Sequence, residues 1–335
     1  MCGINGWITQ NNVKLDPTKA EIRSNIGKGL LIANESRGTD STGVFLQNGK
    51  YHIISKNTCF ASKFVREKGV IEAFKADHHI MLGHTRQATQ GIVNKKNAHP
   101  FQKGNIVGVH NGIIMNDDEL DRKHKFKIEV DSEIIFALLN KYNNNFVKTF
   151  KKIKGSASMA WVDTRKTDTL YLVAHENPMA IAEVPVLNTI FFTSEFQSLD
   201  AILQASVGTE NYSIYDAEKD TVYTINKNIT KTKIAFSEWG NFRSSFTDDE
   251  DADWKSMTAT KIKDDDSVRT YLDAKEVEYL QGQGKKTGCH TCHKPLKGWC
   301  LYDELKTLLF CFPCPPIADF QQYLQLDLTT GYYLI

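Results

Sequence analysis

The second residue constrains this chain more than any other. In Met1-Cys2-Gly3-Ile4-Asn5-Gly6 a cysteine stands directly behind the initiator methionine, and it is small enough for Met1 to be trimmed away. Trimming would put a thiol and a free α-amine on one residue, with reference pKa values of about 8.5 and about 8. One group could then take the other's proton, directly or through a water, giving a nucleophile with its own base. A chance cysteine on a frayed terminus is the plainer reading of these six residues alone. The residues behind Cys2, 3–8, read as a short buried strand with glycines where backbone must approach something closely.

Bulk properties narrow the class. The chain has 335 residues, 41% of them hydrophobic, enough for a large domain and a smaller one. Forty-one Lys and Arg nearly cancel 40 Asp and Glu, for a formal charge of +1. That balance argues against a general polyanion binder, while leaving local basic patches open. No apolar run reaches bilayer length, and no basic flank precedes a hydrophobic core at the N-terminus, so neither a membrane span nor a signal peptide is expected. The seven cysteines are odd in number and four are spaced for metal, which fits a reducing cytoplasm better than a disulfide framework.

Local signals give a coarse element order. Asp16-Pro17 starts a helix expected to run to about residue 36, with Ile22, Ile26, Leu30 and Leu31 on one face. The polar turn Arg37-Gly38-Thr39-Asp40-Ser41 feeds strands at 44–47 and 51–55, and a helix is expected over 61–75. A strand at 79–84, which would hold His79 and follow His78, leads into Thr85-Arg86-Gln87-Ala88-Thr89-Gln90-Gly91. The strand 106–110 runs into Asn111-Gly112, a turn dipeptide. Asp131 is placed to cap a helix over 132–143, and strands dominate from 155, with one helix at 196–205. Strands with helices before and after them predict a layered α/β domain of packed sheets.

Five polar clusters now need a common explanation: Cys2-Gly3-Ile4, Arg37-Gly38-Thr39-Asp40-Ser41, Gly83-His84-Thr85-Arg86-Gln87-Ala88-Thr89, Asn97-Ala98-His99-Pro100 and His110-Asn111-Gly112. Each alone is weak. In order and spacing, with Asp131-Ser132-Glu133 behind them, they resemble the class II glutamine amidotransferases, a branch of the N-terminal-nucleophile hydrolases. Gly155-Ser156-Ala157 and Phe192-Thr193-Ser194-Glu195 are fainter echoes, and the resemblance covers about residues 2–235. It implies a four-layer αββα sandwich and hydrolysis of glutamine. Cys2 would attack the amide and form a thioester, and the Asn111 side chain with the Gly112 N–H would hold the oxyanion. Arg86 suits a bidentate grip on the substrate carboxylate. By the resemblance Asp131 would pair with its ammonium, with help from Thr89 and Gln90. His99 is open between a site role and a structural one, and Arg37 and Asp40 would brace the nucleophile turn. The family often has an aromatic where Gln87 stands and a histidine where Gln90 stands, which bears on closure of this loop over glutamine.

A second constellation lies near the C-terminus. Cys289-x-x-Cys292 and Cys311-x-x-Cys314 are separated by 18 residues, a spacing suited to one tetrahedral, structural zinc. About 50 residues build little core, so metal would supply folding free energy. His290, His293 and Cys300 could substitute as ligands, though surface or packing roles are the plainer reading of each, and Cys59 reads as a buried thiol. The expected organisation is an amidotransferase domain over 2–238, an acidic linker over 239–285 containing Asp248-Asp249-Glu250-Asp251, and a zinc module over 286–335. Zinc modules bind nucleic acid or protein as readily as they staple a fold, so a nucleic-acid partner stays open.

Beyond residue 240 there is neither a Ser-Gly-Gly-x-Asp-Ser loop nor a glycine-rich phosphate loop. The ammonia acceptor is therefore expected on a separate synthetase, with nucleotide or nucleobase pathways among the options. Two alternatives stand beside this reading. One is an amidase for another γ-glutamyl or peptide-like substrate on the same fold, which Arg86 and Asp131 disfavour. The other is a non-catalytic, zinc-containing scaffold, which would gain if Met1 were retained.

Overall fold

Alternation along β1 (Gly3–Thr9) decides the layering. Ile4 and Ile8 join one buried cluster and Trp7 joins another, as successive strand residues face opposite sides. Both faces are therefore covered, and the strand is buried throughout. The computed structural model describes residues 2–10, 14–88, 90–236 and, as backbone strands only, 262–264, 267–272, 300–303 and 308–311. The chain divides into two units, Met1–Phe242 and Arg243–Ile335.

In the first unit, α1 (Pro17–Ala33) is capped by Asp16, whose Oδ1 accepts from the Lys19 N–H at 3.0 Å, with Pro17 in the first turn. The helix stops earlier than its periodicity predicts. Asn34 turns its side chain onto the Leu30 carbonyl and Thr193 Oγ1, both at 2.8 Å, and a 3-10 turn Asn34–Arg37 follows. Strands β2 (Ser41–Asn48) and β3 (Tyr51–Asn57) form a hairpin. The helix expected over 61–75 is two, α2 (Ala61–Phe64) and α3 (Lys68–Lys75). Between them Glu67 is extended and its carboxylate accepts from the Asn57 amide.

Strand β4 (Ile80–Arg86) carries Arg86 as its last residue, and His78 and His79 lie just before it rather than within it. Next come β5 (Phe101–Lys103), β6 (Ile106–Ile114), α4 (Asp117–His124), α5 (Ser132–Lys141) and α6 (Phe146–Phe150). The unit continues with β7 (Gly155–Asp163), β8 (Leu170–Ala174), β9 (Ala180–Val184), β10 (Thr189–Thr193), α7 (Phe196–Val207), β11 (Ser213–Asp216), β12 (Thr221–Ile225) and β13 (Ile229–Lys233).

Two antiparallel sheets result, ordered β11-β9-β10-β1-β4-β2-β3 and β13-β12-β8-β7-β6-β5. Ile4, Phe45, Leu82, Val107, Val109 and Ala160 fill the space between them. Residues of α1, α2, α3 and α7 pack on the outer face of the first sheet, and α5 with Phe150 of α6 on that of the second. The αββα sandwich implied by the resemblance is the architecture observed.

The dipeptide Asn111-Gly112 is not a turn. Strand β6 runs straight through it, paired with β7 from Ile106↔Asp163 to Ile114↔Gly155. Local turn chemistry yields here to a partner strand that satisfies the backbone on the far side.

In the second unit, β14 (Ile262–Asp264), β15 (Ser267–Leu272), β16 (Cys300–Asp303) and β17 (Leu308–Cys311) form a four-stranded antiparallel sheet. The first two strands fall inside the segment read as an acidic linker. Cys300 is the register partner of Cys311, while Cys289, Cys292 and Cys314 lie outside the described residues. Among the described residues no helix is long and apolar enough to cross a membrane.

Candidate active site

Strand register brings the sequence motifs to one end of the sandwich. Gly3 of β1 is opposite Thr85 of β4, and Ser41 of β2 opposite Arg86, so Cys2, the Arg37–Ser41 turn and Arg86 share an edge. Strands β1 and β4 lie against β6 across the sandwich, which carries Asn111 and Gly112. The close approach at Gly3 is strict: a Cβ there would fall 2.5 Å from Asn34 Cβ and 2.6 Å from Thr85 Oγ1.

Cys2 is held by backbone. The Gln87 N–H donates to its Sγ at 3.4 Å, and the thiol faces the Gln87 carbonyl at 3.5 Å. Arg37 Nε donates to the Cys2 carbonyl at 2.9 Å, and Arg37 is itself paired with Glu195. Asp40 accepts from the Ala88 N–H at 2.7 Å, while its own N–H donates to the Arg86 carbonyl at 3.0 Å. Arg37 and Asp40 thus fix Cys2, Arg86 and Ala88 by backbone contacts. Burial pushes the Cys2 thiol pKa up, with the Asp131 carboxylate adding to the shift and the Gln87 N–H and Arg86 opposing it. A thiol so placed needs a base.

Two buried donors at this edge have no partner among the described residues, Asn111 Nδ2 and Arg86 Nη1. Arg86 Nη2 donates to the Gln90 carbonyl at 2.5 Å, and the Gln90 amide reaches Asp117 Oδ2 at 3.2 Å. A buried donor left unmade is costly unless a ligand takes it. Gly112 has φ +150°, and a Cβ would sit 2.0 Å from the Ser156 carbonyl oxygen. The Ile113 N–H donates to Ser156 Oγ at 3.1 Å.

Asp131 does not cap α5. Its Oδ2 accepts from the Ile114 N–H at 2.8 Å, tying it to the strand that carries Asn111. Glu133 serves the helix entrance instead, accepting from the N–H groups of Glu129 and Val130 at 3.0 and 3.2 Å. Ser132 Oγ meets His110 Nδ1 at 2.8 Å.

His99 stacks on His84 with ring centroids 4.0 Å apart and packs edge-on to Phe101, and both its ring nitrogens are buried without partners among the described residues. Burial holds its pKa well below the ordinary range, with His84, His110 and Arg86 adding to that. His84 is pushed down to about 3 by burial, and burial lowers His110 as well. Burial thus favours the neutral imidazole at all three. Thr89 lies outside the described residues. Cys59 is half-buried rather than buried, and burial with Glu67 beside it pushes its pKa up to about 11.

Three further residues belong to this neighbourhood, and the sequence assigns none of them a contact. Ser194 Oγ accepts from the Ile4 N–H at 3.0 Å, Glu195 pairs with Arg37, and Asn177 Nδ2 donates to the Asn111 carbonyl at 3.3 Å. Ser194 and Glu195 stood in a faint motif, whereas Asn177 shows only a turn composition.

Comparison with known proteins agrees with this geometry. The model of a glutamine amidotransferase domain family matches residues 84–201. The glutamine–fructose-6-phosphate aminotransferase (isomerizing) of Staphylococcus aureus is 28% identical over 235 residues, 65% of this chain and 35% of its own. The enzyme of the same name from Thermococcus kodakarensis is 36% identical over 195 residues, 54% of this chain and 30% of its own. The chain thus spans about a third of the length of these curated relatives. Among solved structures, glutamine phosphoribosylpyrophosphate amidotransferase from B. subtilis, complexed with ADP and GMP, superposes with a TM-score of 0.55 at 16% identity, over 70% of this chain and 49% of its own. That likeness is one of fold. Taken together, residues 84–201 match a glutamine amidotransferase domain, and the sandwich is the fold of the phosphoribosylpyrophosphate amidotransferase.

Proposed function

We propose that this chain hydrolyses the side-chain amide of glutamine at Cys2 and releases the ammonia to an acceptor on a separate protein. The observation that carries the reading is the pair of unpartnered buried donors, Asn111 Nδ2 and Arg86 Nη1, at the edge that holds Cys2. One suits the oxyanion of a tetrahedral intermediate and the other a carboxylate. Cys2 would attack the amide carbon, its thiol proton passing to its own α-amine once Met1 is removed. Collapse of the intermediate expels ammonia, which takes that proton, and leaves a glutamyl thioester that water then cleaves. Asp131 would face the substrate ammonium, and Thr89 and Gln90 would line the amino-acid end. Burial lowers the pKa values of His84, His99 and His110 and so makes them weak bases, which favours the α-amine in that role.

The relatives named as aminotransferases and amidotransferases are longer proteins, and the acceptor of this chain is its own question. A separate synthetase is the acceptor proposed here, and an amination assay with the chain alone tests it. Zinc on Cys289, Cys292, Cys311 and Cys314 is the companion proposal, supported by their spacing. Cys300 is opposite Cys311 in register and is a substitute ligand to test. The zinc would be structural and take no part in hydrolysis.

Purified chain supplied with glutamine should form glutamate and ammonia in equal amounts, and Cys2→Ala should form neither. Metal analysis of the same preparation should return one zinc per chain. Absence of glutamate from the wild-type reaction contradicts the proposal, and glutamine-dependent amination of an acceptor by the chain alone contradicts its second half.

A further inference from the structure

An oxyanion donor lowers a barrier only if it is held in place before the reaction, since reorienting it during the reaction would forfeit the gain. Supporting contacts must fix such a group to within about half an ångström. The contacts that hold Asn111 therefore matter as much as Asn111 itself.

On one side of it, the His110 ring is tied at both nitrogens, to Ser132 Oγ at 2.8 Å and the Ser156 carbonyl at 3.2 Å. On the other, Gly112 adopts φ +150° while β6 stays paired with β7 as far as Ile114. Asn177 adds a side-chain contact to this backbone. Its Nδ2 donates to the Asn111 backbone carbonyl at 3.3 Å, while its own carbonyl accepts from Ser158 Oγ at 2.5 Å. Ser158 is the register partner of Asn111 across β6 and β7. Asn111, Ser158 and Asn177 thus form a closed ring of one strand pairing and two side-chain hydrogen bonds.

The turn that presents Asn177 is itself anchored. Backbone bonds of 3.0 and 3.1 Å join His175 to Ala157 in both directions. His175 Nδ1 meets Asp220 Oδ1 at 2.5 Å, and its ring stacks on Phe236 with centroids 3.8 Å apart and planes 9° apart. Glu176 adopts φ +63° and pairs with Lys219. A left-handed, non-glycine residue is uncommon, and it persists where its surroundings over-determine it.

We infer that Asn177 is a positioning residue for the oxyanion hole, acting through the Asn111 carbonyl to aim the Asn111 amide. The inference rests on the proposed role of Asn111. What it requires of Asn177 is a donated hydrogen bond. Aspartate has the same shape but, when ionised, only accepts, and it would set a carboxylate against a carbonyl oxygen.

Asn177→Ala and Asn177→Asp should each lower kcat for glutamine hydrolysis about tenfold, with KM unchanged within about twofold, as for an interaction made in the transition state. In an Asn111→Ala background neither should cause further loss, because the group being aimed is gone. Alkylation of Cys2 by iodoacetamide, which needs no oxyanion hole, should keep its wild-type rate. Hydrogen exchange of the peptide spanning 109–114 should quicken several-fold in both variants. A kcat within twofold of wild type, or a loss that multiplies fully with Asn111→Ala, overturns the inference. Should the wild type hydrolyse no glutamine, the functional reading fails, and exchange still decides the brace: unchanged exchange at 109–114 refutes it.

Discussion

Gly112 concentrates the argument at the scale of single residues. Its φ of +150° is one that L side chains rarely adopt, and a Cβ would meet the Ser156 carbonyl oxygen at 2.0 Å. Gly112→Ala should therefore strain the backbone and displace the strand that carries Asn111. Strain of this kind costs on the order of 1–3 kcal/mol, and loss of one oxyanion donor lowers the rate about 10²–10³-fold. The expected variant folds with a reduced urea midpoint and has glutaminase activity down by at least about a hundredfold; near-wild-type turnover would show that the Gly112 geometry is incidental. Arg86 differs in kind. One of its terminal nitrogens donates to the Gln90 carbonyl, and the other is buried without a partner among the described residues, so the same side chain could hold Gln90 and bind a ligand. Where the family often has an aromatic, Gln87 offers backbone to Cys2. Where the family often has a histidine, Gln90 reaches Asp117 instead. These contacts tie Gln87 to Cys2 and Gln90 to α4 despite the two departures.

At the scale of elements, the loop Asn94–Pro100 depends on Lys56 of β3. Its ammonium donates to the carbonyls of Ala98 at 2.7 Å, Pro100 at 3.3 Å and Lys96 at 3.4 Å. Burial lowers its pKa from 10.5 to about 8, with Glu133 opposing and Lys103 adding to the shift. The folded group therefore releases its proton before the unfolded one does, and between these values the unfolded chain binds more protons. Stability contributed by this site accordingly rises with pH across that window. Urea unfolding of wild type and Lys56→Met at pH 8 and pH 10 should show wild type gaining on the variant; a difference that stays constant would contradict the assignment. Which element features were legible in the sequence follows the range of the forces involved. The α1 cap was legible because Asp16, Pro17 and Lys19 settle it among themselves. Asp131 was misread as a cap because its carboxylate is claimed by the Ile114 N–H, 17 residues away, and Glu133 takes over the helix entrance. Asn111-Gly112 was misread as a turn because its partner, β7, lies over forty residues downstream. Asn177 could not be read at all, since its hydrogen bond to Asn111 exists only once β6, β7 and the turn before β9 are assembled.

At the scale of the molecule, the sandwich gathers nucleophile, donors and carboxylate at one edge from segments spread between Cys2 and Glu195. The period-two alternation that buries Ile4, Leu82 and Val109 between the sheets also sets which ends of β1, β4 and β6 converge, so core and site are specified by one pattern. The motifs were legible as a set for that reason, although their contacts were not. The most direct test is the intact mass of the purified chain before and after treatment with a diazo-ketone analogue of glutamine. The account predicts a mass lacking Met1 and a single adduct mapping to Cys2, with Cys59 unlabelled because burial and Glu67 hold its thiol protonated. Retention of Met1, or an adduct at Cys59 with Cys2 untouched, would contradict it.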